Sequence, residues 1–156
     1  MRAVFIGRPI FETIVAQAER DFPFETCGFI VGDAVAQEVR PVTNIQNRKH
    51  SEDPSAFPRD GRTAFLMDPH EQLAILTEID RRGLSLLAVY HSHPDHDAYF
   101  SETDRRQACS FDPAQPDYPE TAHVVLSVKA GLFERAAAFM WDAEKRDFNE
   151  AEIVVK

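Results

Sequence analysis

Cysteine is scarce: the 156 residues contain two, Cys27 and Cys109, and no CxxC pair. That excludes a disulfide framework and a zinc site built on paired thiolates, so any metal must be held by histidine and carboxylate. Long apolar runs are missing too. No stretch approaches 18 consecutive apolar residues, which argues against a membrane-spanning helix and a membrane partner. The opening "MRAVFIGRPIFE" lacks the apolar core and small-residue cleavage site of a signal peptide, so a cytoplasmic location is expected. Cations are not in excess: 17 Lys and Arg stand against 26 Asp and Glu, a net charge of −9. Nucleic-acid binding needs clustered Lys and Arg to neutralise phosphates, and that class is excluded.

The remaining composition is that of a globular protein. Hydrophobic residues make up 44% and charged residues 28%, and the length suits one domain over residues 1–156. "RAVFIG" reads as a strand, and Pro9 starts a helical stretch that ends before Phe22-Pro23. "CGFIVGD" and "AQEVRPV" read as a hairpin turning near Gly32-Asp33. Residues Gln46 to Arg62 show almost no apolar periodicity and read as a long, mildly basic loop. "DPHEQLAILTEIDRRG" predicts a helix with Asp68 as N-cap, Pro69 at the first position, Glu71 closing a capping box and Gly83 as the stop. "LSLLAVY" predicts a strand buried on both faces. A short helix from about Glu102 to Ser110 and the strands "AHVVLSV", "RAAAFMW" and "EAEIVV" complete an α/β chain with a mixed sheet.

The chemistry concentrates in "VYHSHPDHDAYFSETD", residues 89–104. His91 and His93 are two apart at a strand end, so both side chains leave one face with Cα atoms about 6.6 Å apart. Two such imidazoles can converge on one zinc ion, although two exposed histidines at a strand end would look the same. Asp104 is the candidate third ligand; it is also the third position of a helix start capped by Ser101. Spacing alone does not separate capping from ligation.

The pattern His-x-His, seven residues, Ser, two residues, Asp is similar to that of the JAMM (MPN-plus) zinc metallopeptidases. The upstream "PFETCGFIVG" resembles that family's other segment, a glutamate shortly before Cys-Gly and an apolar strand. The resemblance runs from about Phe11 to Val128 and is to the compact stand-alone bacterial members. It implies an MPN/cytidine-deaminase-like α-β-α architecture and one zinc held by His91, His93 and Asp104. It also implies Glu25 as general acid/base and Ser101 as a hydrogen-bonding residue that helps hold the oxyanion. His96 is an extra histidine in the intervening loop that adds a further candidate ligand.

The activity implied is hydrolysis of an amide at or after the C-terminal Gly-Gly of a ubiquitin-like or sulfur-carrier protein. A glycine tail suits a narrow cleft because it has no side chain to clash. The segment from Gln46 to Arg62 reads equally as a solvated surface loop or as a loop that flanks that cleft and docks the carrier. The competing reading is a non-catalytic scaffold or interaction module of the same fold, and oligomeric state, a homodimer included, is left open. A zinc nucleoside deaminase is excluded because the P-C-x-x-C segment is absent. His50 and His70 read as surface residues, and His123 as structural. Cys27 reads as a small buried residue, and Phe139, Met140 and Trp141 as packing.

Overall fold

The computed structural model describes residues 1–33 and 35–156. In chain order the elements are β1 (Ala3–Ile6), α1 (Arg8–Asp21), β2 (Cys27–Gly32), β3 (Gln37–Pro41), α2 (Gln46–Glu52), α3 (Pro69–Arg82), β4 (Ser85–Pro94), α4 (Glu102–Ala108), β5 (Ala122–Lys129), β6 (Leu132–Asp142) and β7 (Asp147–Val155). The strands form one sheet in the order β1-β7-β6-β5-β4-β2-β3. The β1/β7 and β4/β5 pairs are parallel and the other four antiparallel, so the sheet is mixed as expected.

Alternation along the central strands sorts their side chains into two cores. Ile30, Tyr90, Val124 and Leu126 pack with Ile14 and Ala18 of α1 on one face. Cys27, Phe29, Val31 and Val89 pack with Ile75 and Ile79 of α3 on the other. Helices on both faces explain why β2 is buried throughout and why β2 and the first part of β4, up to Tyr90, read as apolar runs. Among the described residues no helix is long and apolar enough to cross a membrane.

Two expectations need correction. The segment after Gln46 is not loop throughout, because Gln46–Glu52 is helical. Its sequence carries no apolar stripe because tertiary hydrogen bonds hold it in place. Gln46 Nε2 donates to Arg59 O at 2.9 Å, and Asn47 Oδ1 accepts the Gly61 N–H at 2.7 Å. Second, Asp68 does cap α3, accepting from His70 and Glu71 N–H, but Glu71 does not return the bond. Its carboxylate binds Thr43 N–H and Oγ1 instead, while Asp68 N–H donates to Thr43 O at 3.0 Å. The bridge between Asn44 and Met67 brings Thr43 alongside and displaces the box.

Gly28 lies opposite Tyr90 in the β2/β4 ladder. A Cβ there would meet the Tyr90 ring at 2.6 Å and Arg40 O at 2.7 Å, closer than atoms pack. Gly28→Ala should therefore cost about 3 kcal/mol in urea unfolding, with Tyr90→Phe in the same background restoring part of it. An alanine variant as stable as the parent would mean that the two strands do not approach so closely.

Candidate functional site

β4 runs on past its apolar segment to Pro94 and carries His91 and His93 onto the same face as Val89, the face that α3 covers. Opposite it, Cys27 pairs with His91. The two strands stay joined one residue further, because Thr26 N–H donates to Ser92 Oγ at 2.8 Å and Ser92 N–H to Thr26 O at 3.1 Å. Continuing that antiparallel register sets Glu25 across from His93. Glu25 is fixed from the other side too, its N–H donating to Gly61 O at 2.6 Å and its carbonyl accepting from Asn44 Nδ2 at 2.9 Å.

The chain then turns back through residues 95–100. Asp95 takes a left-handed conformation at φ 58°, donates its N–H to Val128 O at 2.7 Å and accepts the Ala130 N–H at 2.9 Å. The Ser127 hydroxyl donates to His96 O at 2.6 Å, and Ala98 is buried against Val125 and Ala137. These anchors deliver Ser101 to the start of α4. There the capping box forms in full: Ser101 Oγ accepts the Asp104 N–H and Asp104 Oδ2 accepts the Ser101 N–H, each at 3.0 Å.

The same Oδ2 also faces both imidazoles. Nε2 of His91 and Nε2 of His93 are 3.2 Å apart, and Asp104 Oδ2 is 3.1 Å from each. Ligand atoms about 2.0–2.1 Å from a tetrahedral zinc ion lie about 3.3–3.4 Å from one another, so these three outline one face of such a tetrahedron. Hydrogen bonds cannot satisfy all three edges, since each neutral imidazole nitrogen offers one proton or one lone pair in one direction. The His93 tautomer fits ligation: Nδ1 lies 2.9 Å from Asp97 O, which only accepts, so Nε2 presents its lone pair. Phe65 stacks on His91 at 4.7 Å and Tyr99 meets His93 edge-on at 5.1 Å, restraining both rings. His91, His93 and Asp104 are thus a buried group suited to a metal ion.

Glu25, His93, Ser101 and Asp104 line one cleft of about 110 Å³. Glu25 Oε1 is buried there without a hydrogen-bond partner among the described residues. Burial first, and then the negative charge of Asp104, push its carboxyl up to about 9, while Arg59 acts the other way. Burial also works against the Asp104 carboxylate, but His91 and His93 more than offset it and hold the group well below the usual range. A second cavity of about 190 Å³ adjoins Asp104 and His91 and contains His123. His123 Nε2 has no partner among the described residues, and burial pushes its pKa down to about 4.

The five residues singled out in the sequence therefore meet. His96 also lines the cleft but is exposed and outside the three-residue group, with Nδ1 donating to Pro94 O at 2.8 Å. Cys27 is buried, as expected, with its thiol donating to Val42 O, and burial pushes that thiol up. His70 is exposed, whereas His50 is half-buried, its Nδ1–H donating to Phe57 O at 2.7 Å. Phe139 and Met140 pack as expected, and Trp141 packs edge-on against Phe148. The residues that sequence reasoning missed are Arg59, Thr63 and Tyr99, which also line the cleft. For Arg59 the one hint is the mild basicity of the segment that ends at Arg62; Thr63 and Tyr99 carry none.

Residues 7–147 match the family described as prokaryotic homologs of the JAB domain. The chain is 35% identical over 142 residues to the desampylase of Haloferax volcanii, covering 89% of this chain and 84% of that protein. It is 34% identical over 105 residues to a probable TtuB-protein conjugate cleaving protease of Thermus thermophilus, covering 67% and 63% respectively. A CysO-cysteine peptidase of Mycobacterium tuberculosis is 30% identical over 121 residues, covering 78% and 70%. Among solved structures, a JAB1/MPN domain protein of Archaeoglobus fulgidus superposes with a TM-score of 0.52 at 16% identity over 99% of both chains.

Proposed function

The chain belongs to the prokaryotic JAB-domain family and is a peptidase of the JAMM type, and we propose that it uses zinc to hydrolyse an amide at or after the C-terminal Gly-Gly of a ubiquitin-like or sulfur-carrier protein. The observation that carries the reading is the triangle of His91 Nε2, His93 Nε2 and Asp104 Oδ2 beside an unpartnered Glu25 Oε1. Zinc bound by those three residues would supply Lewis-acid chemistry, lowering the pKa of a bound water to about 7 and polarising the scissile carbonyl.

The protein's own residues do the rest. Glu25, lining the cleft with no competing hydrogen bond at Oε1, takes a proton from the attacking water and returns it to the leaving amine. Ser101 caps α4 by accepting the Asp104 N–H, which uses a lone pair and leaves the hydroxyl proton free to donate to the developing oxyanion. Capping and catalysis thus draw on opposite ends of one hydroxyl and do not compete. The choice of carrier is supported by relatives whose names specify TtuB conjugates and a CysO-linked cysteine.

The deciding experiment is incubation of the zinc-loaded protein with sulfur-carrier proteins bearing extensions after Gly-Gly, read by mass spectrometry. Cleavage at the Gly-Gly carboxyl is expected, with loss of activity on adding a chelator and recovery on adding zinc. Carriers left intact by a protein shown to hold zinc would refute the substrate, and cleavage indifferent to chelation would refute the chemistry.

A further inference from the structure

One cation in the cleft has no task in the hydrolysis described. The segment from Gln46 to Arg62 carries four basic residues, of which Arg59 alone lines the cleft with Glu25 and Asp104. Arg48 lies 3.8 Å from Glu52, and Arg62 is tied to Asp60 at 2.8 Å. The Arg59 guanidinium has neither a carboxylate nor a hydrogen-bond partner among the described residues. Its backbone is nonetheless fixed: Arg59 O accepts from Gln46 Nε2 at 2.9 Å, and two residues on, Gly61 O accepts the Glu25 N–H at 2.6 Å. Arg59 is therefore mounted on the same stretch of backbone that holds the general acid/base.

The rest of the lining sharpens what belongs beside it. The two acids present, Glu25 and Asp104, have roles, and Thr63, Tyr99 and His96 supply further hydrogen-bonding groups. The amine that Glu25 protonates is the nitrogen of the departing residue. In an α-amino acid the carboxylate carbon is two bonds away, about 2.5 Å from that nitrogen. In a lysine isopeptide the departing nitrogen sits at the end of a four-methylene chain with no carboxylate near it. A guanidinium carried into the cleft beside Glu25 distinguishes these two leaving groups, since it matches a carboxylate with paired hydrogen bonds.

We propose that Arg59 binds the α-carboxylate of the departing residue, so that the enzyme releases a single C-terminal α-amino acid in preference to opening a lysine isopeptide; this rests on the substrate reading given above. In the balanced reaction the water oxygen bonds to the terminal glycine carbonyl carbon and the C–N bond breaks. One water proton passes by way of Glu25 to the departing nitrogen, and the other leaves as the new carboxyl ionises and is taken up by the freed amine. The products are a carrier ending in the Gly-Gly carboxylate and a free amino acid.

The test compares three forms of one ubiquitin-like carrier: ending Gly-Gly-Ala as the free acid, ending Gly-Gly-alaninamide, and joined through Gly-Gly to a lysine side chain. The zinc-loaded wild type should cleave the free acid with kcat/KM about tenfold or more above the other two. Arg59→Gln should remove that preference by raising KM for the acid, and Arg59→Lys should keep part of it. Equal cleavage of acid and amide by the wild type, or an Arg59→Gln variant that keeps the preference, would overturn the proposal while leaving the carrier substrate intact. Failure to cleave any of the three would overturn both together. Cleavage of the isopeptide alone would overturn only the role of Arg59.

Discussion

Replacing Glu25 by Gln is expected to lower kcat about 10²–10⁴-fold while zinc content stays at one per chain, because the side chain keeps its shape and loses only its capacity to accept a proton. Glu25 is buried with Oε1 unpartnered among the described residues, and it is not one of the three clustered ligand residues, so metal affinity should hardly change. Metal analysis on the same preparation used for kinetics checks both halves. A Gln variant that retains full turnover would remove Glu25 from the mechanism.

The same substitution should stabilise the metal-free protein at alkaline pH. Glu25 has an ordinary carboxyl pKa of 4.5 when unfolded and about 9 when folded, raised by burial and then by Asp104. A raised folded pKa means that the folded state holds a proton the unfolded state has released. Its stabilising contribution is complete below pH 4.5 and is lost as pH rises toward 9. The loss accumulates through that window and is on the order of a few kcal/mol in all. Urea melts of the metal-stripped proteins should show the wild type weakening over this range and the Gln variant much less. Parallel curves would mean that the carboxyl is not held protonated. A divalent cation held by His91, His93 and Asp104 would favour the charged form of Glu25 and draw it back toward the range in which a general base works at neutral pH. On the proposed mechanism, the destabilised carboxyl of the metal-free state would be the counterpart of a functional base in the loaded one.

Legibility in the sequence followed the range of the interactions. β2, α3 and β4 were readable because burial on one or two faces writes itself into apolar pattern, and Asp68, Pro69 and Gly83 are local signals for a helix start and stop. The His-x-His pair was readable because the strand period places both rings on one face. α2 was not, since its support comes from Arg59 O and Gly61 N–H, partners 13 and 14 residues on, and leaves no stripe. Glu71 was misassigned for the same reason, its acceptor role taken over by Thr43, 28 residues before it. Glu25 was placed in the site by likeness to a family; the physical reason became visible only in the β2/β4 register and the Thr26–Ser92 bonds. The mild basicity of its segment does not single out Arg59, because an exposed arginine in a polar segment looks the same whether it faces a cleft or open water.

Asp104 joins both readings of "SETD" in one atom, and its variants should separate them. Oδ2 caps the Ser101 N–H at 3.0 Å and lies 3.1 Å from each imidazole Nε2. Asp104→Asn keeps a carbonyl oxygen for the cap but gives up the negative charge and presents an amide NH₂ in its place. Zinc affinity should fall by more than about a hundredfold, beyond the loss typical when only a supporting hydrogen bond is removed, and activity should fall to background at limiting zinc. Asp104→Ala removes the cap as well and should cost about 1 kcal/mol more in the metal-free fold. Ser101→Ala is the complementary variant: it loses the cap with a similar penalty, retains zinc, and lowers kcat about 10²–10³-fold if the hydroxyl holds the oxyanion. Zinc titrations with urea melts on all three variants therefore read ligation and capping independently. An Asn variant that binds zinc as tightly as the wild type would show that Asp104 serves the helix alone, leaving His91 and His93 short of the third ligand that a catalytic zinc needs.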